Sequence, residues 1–351
     1  MSALAIFGVR MRPVLLVSLL FVLTACVPRT KPDALALRIS AVRDCVAAAP
    51  APANYPIPAC SYQPSAETFL PKNGTMGAVW LQQAIESDAT IQSVYQGAAA
   101  QLEAALKDPS QALALSEQTK VGATGKGKPA AIIVDIDETI LDNDAFNARG
   151  LRNRLTTFNE AYFECWGDEK KAKAYPAARE FLTAAAKRGV TVFFVTNRRE
   201  DQRAPVVQTL IAEGFPVLDG GANVIFRGFG AGEKDGSKEK GPRRMCVAQQ
   251  FRVAMLFGDN LGDFVDGVDV SPQQRVDLVK TEQGDTQWGR RWFMLPNPAY
   301  GSWVSALAKF RNDDQDPTKF DRERNIETWV DDQLDAPPAE PKTDGSFESK
   351  H

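Results

Sequence analysis

Four aspartates in this chain have the type and spacing to do chemistry: Asp135, Asp137, Asp259 and Asp263. The first two lie in Asp135-Ile136-Asp137-Glu138-Thr139, directly on an apolar run that begins at Ala130. Residues two apart on a strand point to the same side, so this pair is presented together at a strand tip. Two carboxylates so close do not both ionise cheaply unless a cation offsets them. The pair suits a nucleophile beside a proton-donating acid. Asp259 and Asp263 follow a second apolar run, Val253 to Phe257, in Gly258-Asp259-Asn260-Leu261-Gly262-Asp263. Thr196 and Asn197 close a third run, Val190 to Val195, with a hydroxyl and backbone N–H groups. A basic cluster, Lys238, Lys240, Arg243 and Arg244, stands just ahead of the Val253 run. Carboxylates, a threonine and a lysine on one edge fit phosphoryl chemistry around Mg²⁺, a cation that takes oxygen ligands.

Composition narrows the choice further. The single histidine, His351, is the last of 351 residues. That excludes Ser-His-Asp and Cys-His catalysis and imidazole-based zinc sites. A formal net charge of -3 offers no basic field for a nucleic-acid polymer. With 44% hydrophobic and 24% charged residues the chain has ordinary globular usage.

Elements that would position these residues alternate along the chain. Ala130 to Ile136, Val190 to Val195, Val224 to Phe226, Val253 to Phe257 and Trp292 to Leu295 read as buried strands. Between them Pro176 to Arg188 and Ala204 to Glu213 read as helices stopped by Gly189 and Gly214. This predicts an α/β fold, a parallel sheet with helices on both faces and ligands at the carboxyl ends of the strands. The core is expected over 129–330, with a cap insert at about 143–175. A helical segment covers 64–121, its clearest spacing running from Ala78 to Leu106, and Gly122 to Lys128 is a connector. From 331 to 351 the chain is acidic and Pro-bearing and reads as a disordered tail.

The N-terminal 25 residues read as an export signal, with Arg10 and Arg12 before the apolar run Pro13 to Val22. The strictly apolar stretch is about ten residues, short of the roughly twenty that span a bilayer. Export puts Cys45, Cys60, Cys165 and Cys246 in an oxidising compartment. A Cys45–Cys60 bridge would staple the Pro/Ala stretch between them, with Cys165 and Cys246 left as buried thiols; the sequence leaves this pairing open. Residues 26–63, rich in proline, read as a semi-rigid tether.

DxDxT, a strand-end threonine, a lysine and GDxxxD, in that order, resemble the haloacid-dehalogenase-like (HAD) phosphatases. Within them the match narrows to the class C nonspecific acid phosphatases, exported lipoproteins of bacterial outer membranes. The segments that carry it are VDIDETILDN (134–143), FVTNRRE (194–200), KGPRR (240–244), FGDNLGDF (257–264) and LPNPAYGSW (295–303). Leu23-Thr24-Ala25-Cys26 resembles a lipobox, which implies lipidation at Cys26, and Val27-Pro28 behind it implies outer-membrane sorting.

The resemblance implies a HAD-like Rossmannoid sheet with a small helical cap and N-terminal region. It also implies a Mg²⁺-dependent phosphomonoesterase acting on nucleoside 5'-monophosphates. Asp135 would be the nucleophile, Asp137 the acid and base, and Thr196 with Lys240 the phosphate holders, Lys238 being the alternative lysine. Mg²⁺ would sit on Asp135, the Asp137 carbonyl and Asp259, supported by Asp263. An organic ring would be held by Phe163 and Tyr300, with Asn197 at the substrate, while Trp166 and Trp303 are expected in the core. The phosphomonoester and, through the lipid, the membrane are the implied partners, and a homodimer stays open. Two other readings also stay open: a non-catalytic surface lipoprotein on the same fold, and a phosphotransferase.

Overall fold

Ala130–Val134 (β1) is five apolar residues, too short for a helix and buried on both sides. It forms the centre of a five-stranded parallel sheet in the computed structural model, which describes residues 33–46, 74–153, 158–227 and 238–309. Before it come helices α1 (Ala34–Val46), α2 (Thr75–Gln83), α3 (Ile85–Lys107) and α4 (Leu115–Val121). After it the chain makes a two-residue strand β2 (Leu141–Asp142), then α5 (Asp144–Arg152), α6 (Glu160–Glu169) and β3 (Lys173–Ala174). Next follow α7 (Pro176–Lys187), β4 (Thr191–Arg199), α8 (Arg203–Ala212) and β5 (Val224–Arg227). The last elements are α9 (Gly241–Gln250), β6 (Arg252–Gly258), α10 (Pro272–Thr281), β7 (Trp292–Met294) and α11 (Ser302–Lys309).

The sheet order is β5-β4-β1-β6-β7, so the winding reverses between β1 and β6. Such a reversal opens a crevice at the carboxyl edge, where ligands of open α/β sheets bind. Register sets what reaches that edge. Val134 pairs with Phe194 on one side and Phe257 on the other. Asp135, Thr196 and Asp259 therefore leave the sheet side by side.

Each face of the sheet has its own apolar layer. On one, α3 packs over β6 and β7 and α7 over β4; Tyr95 stacks parallel to Phe257 at 5.5 Å, and Phe257 stacks on Phe293 at 5.0 Å. The Tyr95 hydroxyl donates to the Thr139 carbonyl at 2.8 Å, tying α3 to the loop that carries the first aspartates. On the other face α1, α4 and α9 pack over Phe193, Phe251 and Trp292. β2 and β3 pair antiparallel, Leu141 against Ala174, and form the stem from which α5 and α6 project.

The helical spacing over Ala78 to Leu106 resolves into two helices, with Ala84 extended (φ -90°, ψ 124°) between α2 and α3. Two expectations are corrected. Within the expected tether, Ala34–Val46 is a helix whose Ile39 and Val42 are buried against α9. Cys45 is bonded to Cys246, not to Cys60, across 201 residues, and Cys165 is also disulfide-bonded rather than a free thiol. Proline content marks a tether only where no apolar stripe exists, and α1 has one. The export signal, Cys26, Cys60 and the 331–351 tail lie outside the described residues. Among the described residues no helix is long and apolar enough to cross a membrane.

Candidate active site

Lys240 caps the N-terminus of α9 and is 4% exposed. Its ammonium lies 2.5 Å from Asp135 Oδ1 and 2.7 Å from Asp263 Oδ1. Burial pulls this lysine down, but the two carboxylates outweigh it and hold its pKa above the ordinary value. Lys238 points elsewhere: its side chain is 65% exposed and lies 3.8 Å from Glu160. The structure thus places Lys240, not Lys238, among the acids.

Asp135, Asp259 and Asp263 each offer an oxygen within 4.8 Å of the others. Burial raises the Asp135 carboxyl; Lys240 opposes this, and Asp263 and Asp137 add to it. Asp259 is pushed well above its usual range by burial, then by Asp263 and Asp135. Three crowded carboxylates offset by one ammonium form an oxygen donor set short of positive charge, which fits a hard divalent cation. Asp137 contributes no carboxylate to this set, so any role there falls to its backbone carbonyl.

Local structure explains why these acids stay put. Asp263 Oδ2 accepts from the Asn260 N–H at 2.9 Å, and the Asn260 side chain accepts from Gly262 N–H, a reciprocal cap on the turn after β6. A Cβ at Gly258 would sit 2.2 Å from Asp263 Oδ2, so only glycine lets that carboxylate fold back. Thr139 Oγ1 and Asn297 Nδ2 donate to the two oxygens of Asp259 at 3.2 and 2.8 Å.

Thr196 is buried at the end of the apolar part of β4; its hydroxyl accepts from Arg198 N–H at 3.0 Å. Asn197 is already engaged: its amide donates to the Lys238 carbonyl at 3.0 Å and its oxygen accepts from Arg243 at 2.7 Å. Arg243 also donates to the Thr196 carbonyl at 2.6 Å. Arg244 donates to Glu117, Asp266 and the Gly262 carbonyl. Both arginines are buried bolts that fix the strand ends, not basic groups facing a ligand.

The four strand-end aspartates and Lys240 converge on one open cavity of about 490 Å³, Asp135 and Asp137 from the loop after β1, Asp259 and Asp263 from the turn after β6, and Lys240 from the start of α9. Phe163, Phe158 and Tyr300 line it as a row, with Phe158 centred 5.1 Å from each of the others. Phe163 is 7% exposed, and the Arg198 guanidinium sits 4.2 Å from its ring centroid, so one face is taken by a cation. The Tyr300 hydroxyl donates to Glu138, a fully buried carboxyl at φ 53°. Trp166 is buried as expected and donates to Asn143 Oδ1 at 2.7 Å. Trp303 is 37% exposed, contrary to the core placement expected for it; its indole N–H reaches the Asn297 carbonyl at 3.2 Å across a turn that leaves the ring at the surface.

A family profile for the HAD superfamily, subfamily IIIB (acid phosphatase), matches residues 75–303. The chain belongs to this family. It is an acid phosphatase, a phosphomonoesterase of the HAD class. Its fold is similar to that of the class C acid phosphatase from Bacillus anthracis with tungstate bound, at 26% identity and a TM-score of 0.58. That match covers 75% of this chain and 97% of the other. A second structure of the Bacillus anthracis class C enzyme matches at 26% identity and a TM-score of 0.57, with the same coverage.

Sequence reasoning missed several groups of the phosphatase site. Arg198, Asn143 and Asn297 stand inside the motif segments, but nothing in their spacing shows which acid each one holds. Phe158 had no signal at all, being one phenylalanine in a polar stretch.

Proposed function

We propose that this acid phosphatase hydrolyses nucleoside 5'-monophosphates through a phosphoaspartate on Asp135, with Mg²⁺ as the metal. The observation that carries the mechanism is the buried contact of Asp135 with Lys240 beside Thr196, at the floor of an aromatic-lined cavity. The Asp135 carboxylate attacks phosphorus, and the bond from phosphorus to the leaving oxygen breaks. Asp137 gives its proton to that oxygen. A water oxygen then attacks the phosphoaspartate, Asp137 takes the water's proton, and the bond to Asp135 breaks to release phosphate. Thr196 and Lys240 hold the phosphoryl oxygens and balance their charge. Asp135, Asp259, Asp263 and the Asp137 carbonyl would hold the cation, which supplies Lewis-acid shielding of the nucleophile from an anionic substrate. Tungstate bound to the Bacillus anthracis relative is a tetrahedral oxyanion of phosphate shape, in keeping with such a phosphoryl cradle.

The nucleotide preference rests on the row of Phe163, Phe158 and Tyr300, which offers a flat base a surface to stack on. A cavity of about 490 Å³ accommodates a mononucleotide. Attachment to the outer membrane through a lipid on Cys26 belongs to the same proposal, supported by the Leu23-Thr24-Ala25-Cys26 run. Asp135→Asn is expected to abolish phosphate release from a nucleoside monophosphate while the thermal unfolding curve stays in place. Activity in that variant would remove the nucleophile. Chelator should silence the wild type and added Mg²⁺ restore it, and Cys26→Ser should move active enzyme from the membrane fraction into the soluble one.

A further inference from the structure

Asp137 accepts more side-chain hydrogen bonds than any other strand-end aspartate, from Arg198 on β4 and from Asn143 at the start of α5. The Arg198 Nε donates to Asp137 Oδ2 at 2.9 Å and its NH2 to Oδ1 at 2.8 Å, a fork-to-fork pair with both side chains buried. Asn143 Nδ2 adds a second donor to Oδ1 at 3.0 Å. A carboxylate oxygen has two in-plane lone pairs. Oδ1 is therefore filled by Arg198 and Asn143, while Oδ2 keeps one free.

Arg198 is in turn wedged by the cap. Its guanidinium lies over Phe163 of α6, and a Cβ on Gly167 of the same helix would come within 2.4 Å of its NH1. Asn143, at the foot of α5, is held by Trp166 of α6. Both clamps on Asp137 thus answer to one helix, α6.

We propose that Arg198 and Asn143 are positioning residues that leave Oδ2 of Asp137 as the atom that carries the transferred proton, with α6 setting its aim. The proposal rests on the role of Asp137 as general acid given above. It concerns only how that acid is held. In this role Arg198 acts through Asp137, whose two oxygens its fork holds.

Leaving-group chemistry separates positioning from plain structural support. An alkyl leaving oxygen, as in a nucleoside 5'-monophosphate, needs a proton as its bond breaks, whereas para-nitrophenolate leaves without one. The ratio kcat/KM reports steps only up to departure of the leaving group, so water attack on the phosphoenzyme does not enter. Asp137→Asn, Arg198→Lys and Gly167→Ala would each be assayed on both substrates, with thermal unfolding as the check on folding. Arg198→Lys keeps the charge but loses the fork, and Gly167→Ala presses on the Arg198 guanidinium and on Gln202 Oε1 while leaving the Asp137 side chain itself unaltered.

The expected result is a loss of about 10–100-fold in kcat/KM on the nucleotide for Arg198→Lys, a part of the roughly 10²–10⁴-fold that a positioned general acid supplies. The loss on para-nitrophenyl phosphate should be at least tenfold smaller, and Gly167→Ala should show the same asymmetry in milder form. Equal losses on both substrates, with Asp137→Asn still discriminating, would overturn the positioning role and leave the acid in place. If Asp137→Asn itself fails to discriminate, the acid assignment falls and the positioning role with it. Should Arg198→Lys fail to fold, the Gly167→Ala ratio alone decides.

Discussion

The strand-end acids and the cap reach the same cavity by different physical means. Asp135, Thr196 and Asp259 are placed by sheet register, through backbone pairing of β1 with β4 and β6. The cap row of Phe163 and Phe158, by contrast, is held by side-chain contacts: rings on rings, Trp166 on Asn143, and Arg198 on Phe163. Backbone placement tolerates side-chain exchange without moving its neighbours. Side-chain placement does not. Substitutions at the strand ends should therefore strike the chemistry, and substitutions in the cap should strike recognition and aim.

The sharpest break in that contrast is Lys240. Lys240→Ala leaves Asp135 and Asp263 buried without their cation, which costs about 3–5 kcal/mol when a buried pair loses one partner. It also removes the charge proposed to hold the phosphoryl oxygens, worth on the order of 10²-fold or more in kcat. Unfolding and turnover should both register it, with Mg²⁺ recovering part of the stability and little of the rate. A variant that loses rate alone would show that register, and not charge balance, keeps the acids in place.

Cys45→Ser probes the support behind the strand ends. The bridge to Cys246 fastens α1 to α9, the helix whose cap is Lys240. Its loss should cost about 2–5 kcal/mol in chemical denaturation. At temperatures where the variant stays folded, kcat should be unchanged, since the sheet still sets the register.

Asp144, at the start of α5, gives the cap a pH dependence of its own. It is 7% exposed, and its Oδ1 has no hydrogen-bond partner among the described residues. Burial first, then Asp142, pushes its pKa up to about 7. A carboxyl raised on folding is neutral and free of penalty below about pH 4, its unfolded value. Its ionisation then subtracts stability as pH climbs through 7. The loss is up to about 4 kcal/mol at 1.36 kcal/mol per unit. Asp144→Asn should flatten the stability profile between pH 4 and 7, measured by denaturant titration at each pH. An unchanged slope would locate the dependence at the strand-end acids instead.

The smallest effect is expected at Phe158. Phe158→Leu removes the middle ring of the row and should raise KM for a nucleotide about three- to tenfold, near 1 kcal/mol of stacking. KM for a small alkyl phosphate with no ring should not move. A rise for both would make Phe158 a packing residue of the cap and not part of a binding wall.

Much of the fold was legible because its signals are local. Strand runs from Ala130, Val190, Val224, Val253 and Trp292 appear within a few residues of where the structure has them. The helices over 34–46, 241–250, 272–281 and 302–309 were not read, since short helices in polar or Pro-flanked sequence carry little periodicity. In the site, the acids and Thr196 were legible because their motifs abut strands, while their partners were not. Lys240 stands two residues from Lys238 with the same charge, and only the cap of α9 decides which is buried. Tyr300 and Phe163 were identifiable as aromatics near motifs, but Arg198 over Phe163 could not be foreseen from either.

By itself the sequence determined the parallel sheet, the strand-end carboxylates and their oxygen-donor chemistry, because residue type and period suffice for these. The tertiary structure decided which residue holds which. Arg198 meets Asp137 across 61 residues, Lys240 meets Asp135 across 105, and Cys45 meets Cys246 across 201. Such contacts depend on how finished elements dock against one another. Docking is fixed by the sum of many buried surfaces, and no single stretch of sequence contains it.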